Sequence, residues 1–174
     1  MRAFRSRYAH IEREQRWLAD RVPPDAHPVA SIVDRYIHGT RLRLRQSKNE
    51  DGVVYKLGQK VRNDPADPEI VNVTNLYLSV DEYGLLLRLP AAELRKTRSH
   101  VPWTGRTIAI DRFLGRHDGL IIAEVELAPH EPVLSRPPWA IRDVTHDDRF
   151  SGGALAFALQ TAISELVRRS TPPA

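Results

Sequence analysis

The 174-residue sequence contains no cysteine. That excludes a disulfide framework, a thiol nucleophile, and any Cys-ligated zinc or iron–sulfur site. It also has no apolar run near the ~18 residues that would span a bilayer. Aromatic residues are only 7% of the chain, few for a surface that binds nucleic acid by stacking bases. The start, Met1-Arg-Ala-Phe-Arg-Ser-Arg, is basic but has no apolar stretch behind it. No secretory signal is therefore expected, and a cytoplasmic protein is. There is little surplus charge: 26 Lys and Arg against 22 Asp and Glu give +4. Of the 26 cations only four are lysines, Lys48, Lys56, Lys60 and Lys96. What is present is ordinary: 41% hydrophobic and 28% charged residues, enough for one core. A single domain over residues 1–174 is expected, with its core at about 10–169 and a frayed tail at 170–174.

Pro-rich stretches at 22–30, 63–68 and 129–138 read as loops. Between them lie segments with alternation of period two, the strand signature. These are residues 12–18, 34–45, 53–60, 71–78, 107–113 and 120–127. A turn at Asn49-Glu-Asp-Gly joins the second and third of these into a hairpin. Residues 79–89 read as a helix, with Ser79 as cap, Glu82 completing a capping box, and Pro90 as the stop. A second helix is predicted over about 153–169, with Leu155, Leu159, Ile163 and Leu166 as its apolar stripe. The class is α+β, mainly antiparallel β.

The positions of the charges carry the functional signal. Arg41, Arg43 and Arg45 alternate with Leu42 and Leu44, so the arginines share one strand face. Glu12, Glu14 and Arg16 share a face, as do Glu124 and Glu126 around Val125. Lys56 and Lys60 form another such set, and Lys96 and Arg98 a further one. Each alone reads as the wet side of a half-buried sheet. Together they place like charges two residues apart on several strands, an arrangement that repels unless counter-charges face it. A closed barrel would gather all of these into one lumen, with the leucines and Val125 packing outward under helices. Carboxylates there suit Mg²⁺ or Mn²⁺. Arg and Lys suit phosphate oxygens.

In this respect the sequence resembles the CYTH superfamily, the triphosphate tunnel metalloenzymes. The similarity is carried by Glu12-Arg-Glu14-Gln-Arg16, Arg41-Leu-Arg43-Leu-Arg45, Tyr55-Lys-Leu-Gly-Gln-Lys60, Lys96-Thr-Arg98, Asp111-Arg-Phe113 and Ala123-Glu124-Val-Glu126, in the family's order. Asp143-Val-Thr145 and Arg149-Phe-Ser also resemble the segment before the family's last helix. The resemblance implies an eight-stranded antiparallel tunnel barrel and hydrolysis of a triphosphate, inorganic tripolyphosphate first of all. It implies Glu12, Glu14, Glu124 and Glu126, with Asp111, as holders of Mg²⁺ or Mn²⁺. It implies catalytic work at Glu12, Glu14 and Arg16. It implies a substrate grip by Arg41, Arg43, Arg45, Lys60, Lys96 and Arg98; Lys56 has the parity to join them. The sequence departs from the family pattern in four places. Arg16 stands for a Lys, Ala109 for a Glu and Gly58 for a Thr, and residues 71–74 lack the usual charged groups.

Within the resemblance, thiamine triphosphatase and class IV adenylate cyclase remain alternatives, because they share the phosphate and metal groups. From other classes, a basic RNA-binding barrel and a non-catalytic polyphosphate or nucleotide binder also stand. Four glutamates on these faces disfavour the nucleic-acid reading, since without metal they repel a phosphate backbone. The expected partner is a small triphosphate-containing molecule, with no membrane; a homodimer is left open. The seven histidines show no ligand spacing and read as surface residues. Trp17, Trp103 and Trp139 read as packing residues, and Gly152-Gly153 as a tight turn at a helix start.

Overall fold

A computed structural model describes residues 8–61, 70–128, 130–159 and 165. Nine strands and two short helices follow in the order β1 His10–Ala19, β2 His27–Ile37, β3 Leu42–Asn49, β4 Gly52–Val61, β5 Ile70–Leu78, α1 Val80–Leu86, β6 Ala91–Trp103, β7 Arg106–Phe113, β8 Ile121–Leu127, β9 Ala140–Asp143 and α2 Gly152–Phe157. The sheet order is β5-β4-β3-β2-β6-β7-β8-β1-β9, and β5 also pairs with β1. Eight strands therefore close into an antiparallel barrel, which removes every free edge among them. β1 completes the closure: residues 10–13 pair with β5, and residues 13–18 pair with β8. β9 adds to the far end of β1.

The barrel is inverted in polarity. Along β1, Glu12, Glu14 and Arg16 face in, and Trp17 joins an outer cluster with Ile108, Ile110, Ala123, Val125 and Trp139. That outer cluster is covered by the loop between β8 and β9, through Leu134 and Trp139. The expected helical cover over Val125 is thus replaced by a loop. Trp103 donates its indole N–H to Ser135 O at 3.1 Å, tying the same loop down. One end of the interior is apolar. Leu18, Leu94, Phe113 and Ile122 pack there against Phe150, Leu155 and Ala156, so α2 stops that end, with Leu155 of the predicted stripe as its contribution. Leu155 is fully buried.

Several elements differ from expectation. Residues 34–45 form two strands, β2 and β3, folded at Gly39, whose φ of 69° suits glycine. β2 begins at His27, inside the stretch read as loop. β6 and β9 were not anticipated. The β6–β7 turn, Thr104-Gly105, has φ values of 46° and 77°, the left-handed pair that matches strand twist in a two-residue hairpin. The Asn49–Gly52 hairpin forms as predicted. α1 has the predicted capping box, with Ser79 and Glu82 bonding each other's backbone N–H, but ends at Leu86 rather than near Pro90. α2 ends at Phe157, because Ala158 is extended (φ −71°, ψ 147°). Leu159, read as part of the apolar stripe, follows the helix and is 75% exposed. Glu165 is helical, while Ile163 and Leu166 lie outside the described residues, as do the 63–68 loop and the tail.

Candidate active site

The barrel encloses a cavity of about 600 Å³. Eight cationic and four anionic side chains line it: Arg16, Arg41, Arg43, Arg45, Lys56, Lys60, Lys96, Arg98, and Glu12, Glu14, Glu124, Glu126. Of the 13 residues singled out in the sequence, only Asp111 is not on this wall. Alternation puts them there, because each set lies on one face of its strand. Arg41 is the exception in origin: it lies in the turn before β3, and reaches the cavity from its rim.

The glutamates meet across the β1–β8 ladder. Glu14 is directly opposite Glu126, and Glu124 is opposite Arg16. Lys60 on β4 reaches between the β1 pair, bonding Glu14 and lying 3.0 Å from Glu12 Oε2. Burial works to raise the Glu12 carboxyl, but Lys60 and then His10, whose Nε2 is 2.8 Å away, pull it below its ordinary value. Burial likewise disfavours the Lys60 ammonium, yet Glu14 and Glu12 raise it above the usual lysine range. His10 is exposed, as expected of a surface histidine, yet bonds Glu12; its place two residues before Glu12 is the signal in the sequence.

The phosphate-binding candidates are held by two aspartates. Arg45 places Nε and Nη2 on Asp34 at 2.6 and 2.7 Å, with Arg43 Nε 3.6 Å from the same carboxylate. Burial opposes the Asp34 charge, but Arg45 and Arg43 hold it well below the carboxylate range. Asp111 accepts from Arg98 Nε and Nη2, both at 2.7 Å, and from Lys96. Burial would raise it; Lys96 and Arg98 hold it at about 2. Arg98 Nη2 also lies 3.2 Å from Glu124. Asp111 thus stands among cations and shares Arg98 Nη2 with Glu124.

Arg16 is committed elsewhere. Its guanidinium donates to Thr145 O at 2.9 Å and Phe150 O at 3.3 Å. It therefore pins the segment that leads into α2, and a permanently charged Arg is no general base. Sequence reasoning missed Asp34, Tyr36 and Asn75, although Asp34 and Tyr36 keep the parity of the β2 interior face. Tyr36 lies against α2: a Cβ on Gly152 would fall 2.1 Å from its hydroxyl oxygen. Burial, then Asp34, raises the phenol to about 12, so it is a neutral group at physiological pH. Asn75 fills the notch left at Gly58, its Oδ1 2.9 Å from where a Cβ would stand. Asn75 is also the only polar residue that β5 gives to the wall, beside Val71 and Val73.

Carboxylate oxygens are hard donors, and the opposed Glu14–Glu126 pair has the chemistry a divalent cation needs. Among the described residues no three Asp, Glu or His side chains gather closely enough to hold an ion unaided. Lys60 now faces Glu12 and Glu14, and Arg98 faces Glu124. The donor set therefore fits an ion whose remaining ligands are phosphate oxygens or water.

Known proteins share this architecture. The crystal structure of the inorganic triphosphatase NE1496 superposes with a TM-score of 0.58 over 85% of this chain and 95% of that one, at 21% identity. A second structure of NE1496, described as a hypothetical protein, gives 0.59 over 85% and 99%, at 22% identity. The chain has the fold of these structures, a closed antiparallel barrel around a tunnel. In sequence, an inorganic triphosphatase from Acetivibrio thermocellus is 40% identical over 57 residues. The match takes in 33% of the tunnel chain and 36% of that relative's length. No family model matches. The tunnel is closed at the α2 end and lined by both signs of charge. Among the described residues, no helix is long and apolar enough to cross a membrane.

Proposed function

We propose that this protein is a divalent-metal-dependent hydrolase of triphosphates, with inorganic tripolyphosphate as its substrate. The observation that carries the reading is the convergence of eight cations and four glutamates on one enclosed cavity. Tripolyphosphate carries roughly four to five negative charges near neutral pH and needs such a surround. The likeness to inorganic triphosphatases supports the same assignment.

Arg41, Arg43, Arg45 and Lys56 grip one end of the substrate, and Lys96 and Arg98 the other. The guanidinium forks match phosphate oxygens in pairs, and the ammonium groups act as point charges. Glu12, Glu14, Glu124 and Glu126 hold Mg²⁺ or Mn²⁺. When bound, the ion neutralises charge on the phosphate oxygens and makes a terminal phosphorus more open to attack by water. Lys60 balances Glu12 and Glu14 and, as a lining residue, would also meet phosphate oxygens as a point charge. Arg16 and the α2 stop keep that end of the tunnel closed, which excludes bulk water. Positioning and neutralisation supply the catalysis, as phosphoryl transfer requires. β5 brings Val71, Val73 and Asn75 to the wall and no acid, so the carboxylates of the wall come from β1 and β8 and leave ligand positions for phosphate or water.

A substrate panel tests this. Tripolyphosphate, thiamine triphosphate and ATP are each offered with Mg²⁺ or Mn²⁺. Free phosphate from tripolyphosphate at the highest kcat/KM is expected. Cyclic AMP with pyrophosphate from ATP would instead make it a cyclase. Metal-independent, salt-sensitive RNA binding without turnover would refute the enzyme.

A further inference from the structure

Two aspartates lie inside the barrel yet form no part of the cavity wall. Asp34 on β2 is 1% exposed and Asp111 on β7 is 0% exposed. Each stands behind cations that do reach the cavity. Asp34 takes two donors of Arg45 and lies beside Arg43; Asp111 takes two donors of Arg98 and the ammonium of Lys96. Half of the eight lining cations are thus backed by a buried carboxylate that a bound anion cannot touch.

This arrangement changes the charge that a polyphosphate meets. Eight cations and four glutamates line the wall; counting the two aspartates behind it, the positive excess falls from four to two. Inside a protein the effective dielectric is far below that of water, so each uncompensated charge a few ångströms away has a large effect on a multiply charged anion. A wall with twice the excess would hold the product, itself a multiply charged anion, more tightly as well. Binding that does not discriminate between ground state and transition state adds nothing to turnover.

We infer that Asp34 and Asp111 are positioning residues that limit the grip of the tunnel on polyphosphate: they aim the cations and offset half their surplus, so that product pyrophosphate can leave. The inference rests on the reading of the cavity as a polyphosphate site, and it concerns residues that never touch the substrate.

The test compares the full-length protein with Asp34→Asn, Asp111→Asn and a surface control, Asp118→Asn, which removes an exposed acid near Arg112. Calorimetry without metal measures pyrophosphate affinity at low and high salt. Steady-state hydrolysis with added pyrophosphate measures KM, kcat and product inhibition. Both buried variants are expected to bind pyrophosphate about tenfold tighter or more at low salt, with the gain shrinking in high salt. KM and kcat fall together as product release slows, and the control matches wild type. Equal or weaker pyrophosphate binding in a folded buried variant, with kcat lost at unchanged or higher KM, is the signature of a purely structural role and overturns the inference. The two variants lie on different strands, so if one fails to fold the other decides. Tighter binding in the variants with no hydrolysis by wild type would defeat the triphosphatase reading alone. Normal wild-type hydrolysis with unchanged variant affinity would defeat this inference alone.

Discussion

Glu14 on β1 faces Glu126 on β8 as a direct register partner. Two like charges opposed across a ladder destabilise a sheet, so the pair is a cost that a metal-binding function explains. Glu126→Gln is expected to reduce tripolyphosphate turnover about 100-fold, in the range of losing a charge-stabilising group. The same change should raise thermal stability slightly, by about 0.5 kcal/mol. Enzyme assay and thermal melts read the two effects; loss of both activity and stability would point to a structural glutamate.

Arg43 and Arg112 separate the lumen from the outside. Arg43 lines the cavity, whereas Arg112 is exposed on the other face of β7, 3.7 Å from Asp118. Arg43→Ala should raise KM for tripolyphosphate by about tenfold or more, the worth of a charge-assisted hydrogen bond. Arg112→Ala should leave KM unchanged. Equal effects in steady-state kinetics would contradict the tunnel as the binding site.

Gly152 is required by Tyr36. An added Cβ would stand 2.1 Å from the Tyr36 hydroxyl oxygen and 3.1 Å from Cζ. Gly152→Ala should cost about 1–3 kcal/mol, as overpacking does, measured by denaturant unfolding. Tyr36→Phe in the same chain should recover part of that loss, because it removes the nearer atom and leaves the ring.

His117 makes stability depend on mild acid. It is 2% exposed, and its Nε2 lies 2.8 Å from Leu155 O at the barrel stop; the expectation of a surface histidine is corrected here. Burial, and to a lesser extent Arg116, lowers its pKa below the ordinary 6.5. The unfolded chain therefore takes up a proton first, and stability is full above pH 6.5 and declines as pH falls from there. His117→Gln should flatten the melting temperature between pH 7 and 5, leaving the slope from His100, which burial and Arg98 also lower. Asp34 and Asp111 act further down: their contribution is complete above the ordinary carboxylate value of 3.8 and is lost as pH falls, toward about 2 for Asp111 and lower still for Asp34.

The lumen was legible because its charges alternate with apolar residues, and period two fixes which side chains share a face. The barrel followed from closing those faces around one space. What the sequence hid was of two kinds. Strand β6 mixes Leu94, Lys96 and Arg98 on its inward face, so apolar plug and polar wall run together without a clean pattern. The β2–β3 fold was masked because both strands keep the same alternation through Gly39. Asp34 and Asp111 were missed as counter-charges because their partners lie on neighbouring strands, 11 and 13 to 15 residues away, a distance that only the register can bridge. The commitment of Arg16 to Thr145 and Phe150 is equally non-local.

The central claim is that this tunnel cleaves tripolyphosphate with the help of its glutamates. Phosphorus NMR of tripolyphosphate incubated with the purified protein and Mg²⁺ or Mn²⁺ tests it most directly. The account predicts that the tripolyphosphate resonances give way to equal amounts of pyrophosphate and orthophosphate, and that chelator or Glu126→Gln stops the conversion. Unchanged tripolyphosphate with either metal, or conversion at the wild-type rate by Glu126→Gln, would contradict it.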